Sequence, residues 1–343
     1  MEMKIEILGD GCSRCDKFYK NVLKAVKESG KEIMLMLLLR LVLISFVSLS
    51  LYSVATVGAV ERELYLIDAH SQVDQTVDLN KVISLMDQAG IQYTILSAVA
   101  ERSSGDIVRF SRQHPGRIIA AVRMKMRAYN ENDKKYYEAL KREVESDNFN
   151  AMSEVMMYHA QKGHRYPEIV VYPDDERVQT ALRYALEKGW PFVVHIEFAS
   201  RSIRGRGKFM EQLEAMLVKY PTHPFAMAHM GQLNASEVRR LIKSHPNVYF
   251  LTSRSNPVAA NEANQPWVNM FKGDVLAPEW RELAIQYPDR FVISFDNVVP
   301  QNWGDFYLRQ VQYWRKALSA LPPDVAHAIA HGNAERLWKI PPK

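Results

Sequence analysis

Short apolar runs recur through most of the chain, and the stretches between them repeat with a helical period. The runs at residues 64–69, 92–98, 117–123, 150–156, 191–197, 224–229, 247–252 and 290–296 read as eight strands. Between them, Val178, Ala181, Leu182, Ala185 and Leu186 fall on one helical face, and Gly189 follows as a stop. Phe209, Leu213, Met216, Leu217 and Tyr220 form a second stripe. Asn234 with Glu237 makes a capping box ahead of Val238, Leu241 and Ile242. Strand and helix in alternation predict a parallel sheet. Eight such units predict closure, so residues 61–343 read as an α/β domain of the (β/α)₈ TIM-barrel class.

The pattern changes before residue 61. Residues 33–39 are apolar, Arg40 interrupts, and residues 41–60 run on without a charge. About 20 apolar residues suffice for a membrane-spanning helix. Started at Met34 or Met36, the same stretch reads as a signal peptide, with Arg40 before an apolar 41–51 and Val57-Gly58-Ala59 as the cleavage site. Under either reading, 33–60 is a hydrophobic signal or anchor helix that exports the barrel. The expected location is periplasmic or extracellular, with 41–60 as the one membrane contact. Residues 1–32 form a short βα segment: an apolar strand, a Gly9-Asp10-Gly11 turn, Cys12 and Cys15, then a helix to Ser29. A C-x-x-C at a helix N-terminus favours the thiolate. This segment resembles the first unit of small thioredoxin-like redox proteins. A fused or mis-started reading frame is the alternative.

Composition narrows the chemistry. With 47% hydrophobic and 24% charged residues, the chain has ordinary globular balance. The net charge of +5 owes much to Lys17, Lys20, Lys24, Lys27 and Lys31, and no basic block interleaves with aromatics. Nucleic acid is therefore not an expected partner. Cys12 and Cys15 are the only cysteines, so the barrel has neither disulfides nor thiolate metal sites. Any metal there must use His, Asp, Glu or Gln.

His70, His195, His229 and Asp296 each sit at the end of one of these runs. Strand C-termini are where a barrel of this class places its chemistry, and four such groups suit a divalent metal with a general acid/base beside it. Ile67-Asp68-Ala69-His70, Val193-Val194-His195, Ala228-His229-Met230-Gly231, His245-Pro246-Asn247-Val248-Tyr249, Asp289-Arg290-Phe291 with Asp296, and Gly332-Asn333-Ala334 with Leu337 follow in order. Together they resemble the amidohydrolase-related family of the "amidohydrolase 2" type. The resemblance implies one divalent ion, zinc by type, held by His70, His195 and Asp296, with His229 as proton shuttle. Family members carry His-x-His at the end of strand one, whereas this chain has His70-Ser71-Gln72, which puts Gln72 at a ligand position. An amide oxygen is a weaker ligand than imidazole. Without a metal, Asp296 alone would activate water.

Further candidates come from the residues themselves. Glu154, at the end of strand four, reads as a metal ligand or the partner of a ligand histidine, with a solvated loop residue as the alternative. Glu197 shares the face of His195. Arg123 and Arg254 are candidate clamps for a substrate carboxylate, and His159 lies at the expected rim. Lys125 and Arg127, just past strand three, are candidate clamps too, but surface charge is the favoured reading for both, and Asn333 reads as the cap of the last helix. The implied function is hydrolysis of a lactone, ester or amide bond in a small, carboxylated molecule. Non-oxidative decarboxylation, a non-catalytic binding barrel with a decayed metal site, and thiol-redox chemistry through Cys12 and Cys15 are the rivals.

Overall fold

The computed structural model describes Lys20 and residues 64–163, 167–262 and 265–343. The chain divides into two units, Met1–Glu63 and Leu64–Lys343. The cysteine pair and the 33–60 helix expectations lie outside the described residues. No helix among the described residues is long and apolar enough to cross a membrane.

The alternating runs form strands close to the expected positions: β1 (Leu66–Val73), β2 (Ile91–Ala98), β3 (Ile118–Val122), β4 (Ala151–Met152), β5 (Val155–His159), β6 (Phe192–Ile196), β7 (Phe225–Met227), β8 (Val248–Leu251) and β9 (Phe291–Val292). Two parallel arrays result, β1-β2-β3-β4 and β9-β8-β7-β6-β5. The fourth expected strand is broken at Ser153-Glu154, which separates β4 from β5. The ring closes between its first and last strands. Ala69 N donates to Ile293 O at 3.0 Å, Asp296 N to His70 O at 2.8 Å, and Gln72 N to Asn297 O at 2.7 Å.

Side chains divide by face. Ile67, Ala69, Ile95, Ala226, Tyr249 and Leu251 share the inner cluster, where small and large residues interleave. Leu337, Trp338 and Ile340 from the C-terminal end belong to the same cluster and stop the lower opening. Tyr93 donates there to Pro341 O. Leu66, Val73 and the helix stripes make the outer core. Helix Glu176–Lys188 buries Val178, Ala181, Leu182 and Ala185 and ends at Gly189 with φ 65°, a left-handed stop that suits glycine. The capping box of Asn234 and Glu237 forms as read. Asn333 behaves differently from its expected role. Its amide bonds Pro288 O and Phe291 O, both at 2.8 Å, and no side-chain cap precedes helix Asn333–Trp338. It pins the last strand rather than the helix.

β1 carries one extra residue against β2 between Asp68 and Ser71. A one-residue slip exchanges the faces of a strand. Leu66 and Val73 therefore both pack outward despite their odd spacing, and the sites at 70 and 72 turn inward. Asp68 holds this bulge: its carboxylate accepts from His70 N, Ser71 Oγ and Phe295 N.

His223 supplies a stability test remote from the site. It is 8% exposed, packs edge-on to Phe225, and burial pushes its pKa down to about 4. The unfolded histidine titrates near 6.5. As pH falls below about 6.5 the unfolded chain takes the proton first, so stability declines toward pH 4. Allowing for water at the ring edge, the loss between pH 7.5 and 5 is about 1 kcal/mol. The unfolding free energy of the parent, measured in urea, should fall by that amount relative to His223→Leu on acidification. Parallel pH curves would remove His223 as a source of acid sensitivity.

Candidate active site

The upper ends of the strands surround a cavity of about 810 Å³. Met126, Met156, Ile169 and Trp267 give it apolar walls, while Lys125, Lys162, Arg254 and Asp296 give it a charged floor beside His195 and His229.

Glu154 lies fully buried behind that floor, in the break between β4 and β5, in contact with the lining residues Lys125 and His195. The solvated-loop reading is excluded. Its Oε2 meets His195 Nδ1 at 2.7 Å, and its Oε1 accepts from Gln72 Nε2 at 3.1 Å and pairs with the Lys125 ammonium. Burial alone would raise its pKa, but the charges of Lys125, His195 and His70 outweigh that and hold it well below the usual range. Asp296 faces it. Gln72 Nε2 donates to Asp296 Oδ1 at 2.9 Å, and Arg254 grips Asp296 through Nε to Oδ2 at 3.3 Å and Nη2 to the backbone oxygen at 2.7 Å. Here too burial is outweighed, by the facing His70 imidazole and the charges of Lys125 and Arg254, so Asp296 stays ionised at neutral pH.

The three histidines differ. His70 Nε2 points at Glu154 Oε1 (3.4 Å) and Asp296 Oδ1 (3.5 Å), too far for a good hydrogen bond. Desolvation disfavours its charge, yet the two carboxylates raise its pKa to about 9. A buried imidazole nitrogen aimed at two carboxylates marks a cation position. His195 is held at both nitrogens, by Glu154 and by Glu197 Oε1 at 3.2 Å, and these acids raise its pKa against burial. His229 instead meets Ser253 Oγ through Nδ1 at 2.8 Å and leaves Nε2 facing Glu154 Oε2 (3.5 Å) and Asp296 Oδ2 (3.8 Å). Burial lowers its pKa to about 4, so it is neutral at pH 7. The serine oxygen already accepts from His229 N. The hydroxyl can donate to Nδ1 or accept from it, and donation, which leaves the ring proton on Nε2, suits the two carboxylates that Nε2 faces.

Left-handed backbone recurs here. His229, Met230 and Gln232 have φ near 55°, Arg254 60° and Asp296 53°. Such conformations are uncommon outside glycine and cluster where surrounding contacts enforce them at functional sites. Asp296 N is tied to His70 O, and Arg254 to Asp296 O, which supplies that enforcement.

The donor set fits a divalent ion. One ligand atom each from His70, Glu154 and Asp296 lies within 4.8 Å of the others, and the same holds for Glu154, His195 and His229. Of the expected ligands, Gln72 turns its NH₂ toward both carboxylates, and its Oε1 is buried without a hydrogen-bond partner. His195 would need to release a glutamate before ligating. The candidate clamps also separate. Arg123 borders the cavity, but its guanidinium bonds the carbonyls of Lys125, Arg102 and Ala100, so it braces loops. Arg254 reaches the floor as a partner of Asp296. Glu197 is tied to His195 and to Lys162 Nζ at 2.5 Å. His159 lies at the wall, its ring 5.6 Å from that of His195. Arg127 stays exposed and pairs with Glu131, as a surface charge does. Lys162, Ser253 and Trp267 are site residues to which sequence alone gives no role, and Lys125, favoured there as surface charge, pairs instead with buried Glu154.

A family model described as Amidohydrolase matches residues 67–340. No match to a curated protein is found. Among solved structures, the chain is similar to an uncharacterized TIM-barrel protein from Bordetella bronchiseptica, with 17% identity, a TM-score of 0.51, and coverage of 77% of this chain and 83% of that one. It is likewise similar to 4-oxalomesaconate hydratase from Rhodopseudomonas palustris, with 14% identity, a TM-score of 0.51, and coverage of 80% and 96%. At these identities the likeness shows the fold.

Proposed function

The chain belongs to the amidohydrolase family, and from that premise we propose that its cavity adds water across a lactone, ester or amide bond of a small carboxylated molecule. The observation carrying this reading is the buried meeting of neutral His229 Nε2 with Glu154 and ionised Asp296 on the cavity floor. His70, Glu154 and Asp296 would hold the divalent ion, with His229 and His195 on the other side of Glu154. Such an ion, when bound, supplies Lewis-acid polarisation and acidifies water.

The chain's own residues divide the remaining work. Asp296 receives the proton of the attacking water, and Arg254 keeps its carboxylate aimed. His229 directs its Nε2 hydrogen at the oxygen where negative charge develops. Ser253 fixes the ring that does so. Lys162 and the Trp267 indole, with the ammonium 4.7 Å from the ring centroid, border the space where a planar, anionic substrate would lie.

The test is a panel of carboxylated lactones, aryl esters and anilides offered to the full chain with and without added Zn²⁺. Turnover of one class, lost in Asp296→Asn, supports hydrolysis. Carbon dioxide release from aromatic acids without hydrolysis would favour decarboxylation. Ligand binding without turnover, unchanged in Asp296→Asn, would favour a binding barrel. Trp267→Ala is expected to raise KM about tenfold with a smaller change in kcat, because the wall contributes to binding rather than bond cleavage. An unchanged KM would place the substrate elsewhere in the cavity.

A further inference from the structure

Lys125 extends from the loop after β3 onto Glu154 and lines the cavity. The oxygen it meets is Oε1, which also accepts from Gln72 and faces His70 Nε2 at 3.4 Å. Glu154 is also the one residue common to both candidate ligand triads. One carboxylate oxygen therefore has two claimants: a resident ammonium and a divalent ion.

Charge sharpens the competition. Each floor carboxylate has its own cation: Glu154 has Lys125, Glu197 has Lys162, and Asp296 has Arg254. The six side chains cancel. An ion added to this set meets three fixed cations, whereas an ion exchanged for the Lys125 ammonium gives Glu154 a new partner with less repulsion. Gln72 points the same way, since its NH₂ donates into both carboxylates instead of offering an oxygen.

We propose that Lys125 is the resident counter-cation of the metal position, and that a divalent ion enters by displacing its ammonium from Glu154 toward the cavity. The proposal rests on the metal-ligand reading above and adds a residue that sets how tightly the ion is held. The displaced ammonium faces the space where a substrate carboxylate lies, so ion and anion binding should favour each other, and linkage makes the effect reciprocal.

Zn²⁺ titration by calorimetry of full-length parent, Lys125→Met and Lys125→Arg tests it, with far-ultraviolet circular dichroism as the folding control. Lys125→Met should bind Zn²⁺ about 10–100-fold more tightly than the parent, the scale on which neighbours of ligands act. Lys125→Arg, which keeps the charge, should not gain. Equal measurable affinity in all three overturns the proposal and leaves the metal-ligand reading standing. No binding to any of them overturns both. A second measurement needs no variant: amine-reactive labelling of Lys125 in the parent, read by mass spectrometry, should rise when Zn²⁺ is added. Labelling that is unchanged under saturating Zn²⁺ overturns the displacement.

Discussion

Replacing Asp296 by Asn lowers kcat/KM by about 10²–10⁴-fold, the range expected when a positioned proton acceptor is removed, and leaves the barrel folded. Asparagine tolerates the left-handed φ of 53° that this position demands. Its Oδ1 still accepts from Gln72, and the backbone oxygen still accepts from Arg254 Nη2. Of its hydrogen bonds only that from Arg254 Nε to Oδ2, 3.3 Å long, fails, because an amide there would set donor against donor, and the lost ion pair is cushioned by the partial exposure of the Arg254 side chain, 18%. A small stability loss beside a large catalytic one is therefore the expected signature, read from kcat/KM on the best panel substrate and from the unfolding midpoint. A fall of less than tenfold would take Asp296 out of the chemistry.

Glu154→Gln is expected to act first on the fold. The carboxylate is fully buried and serves Lys125, His195 and Gln72 at once, with His70 and His229 close by. A glutamine of the same shape supplies one oxygen and turns an NH₂ toward donors. Removing one partner of a buried charge pair costs about 3–5 kcal/mol. At roughly 2–4 °C per kcal/mol for a large domain, Tm should drop by about 6–20 °C. Calorimetry decides it. A drop under about 2 °C would mean that water or movement of Lys125 already relieves the buried charge, and Glu154 would lose its place as the hub.

The barrel was legible because eight apolar runs and their helical intervals obey two different periods, and each period survives burial. The placement of His70, His195, His229 and Asp296 was legible for the same reason: each ends a run. In the structure the His195 and His229 rings lie 4.8 Å apart and those of His70 and His229 6.5 Å apart. What the pattern could not convey is pairing. Lys125 reads as surface charge because a loop lysine looks alike whether it meets water or a buried glutamate about thirty positions on. Arg123 looks like a clamp until its guanidinium is found on three carbonyls. The break at Ser153-Glu154 was also hidden, since residues 150–156 read as one continuous strand, whereas the structure separates Ala151–Met152 from Val155–His159. Nor does any residue type announce the left-handed run at His229, where Gly231 alone is conformationally free.

The hydrogen bonds that shut the cylinder join His70 to Asp296, and these are also two of the groups facing one another on its floor. During synthesis, the earlier of the two must therefore wait for almost the entire remaining polypeptide before its opposite number exists. Contacts of such long sequence separation form late and slowly. Nascent chains on the ribosome consequently carry His70 without its counterpart, and the two halves of the floor meet only when the seam is sewn.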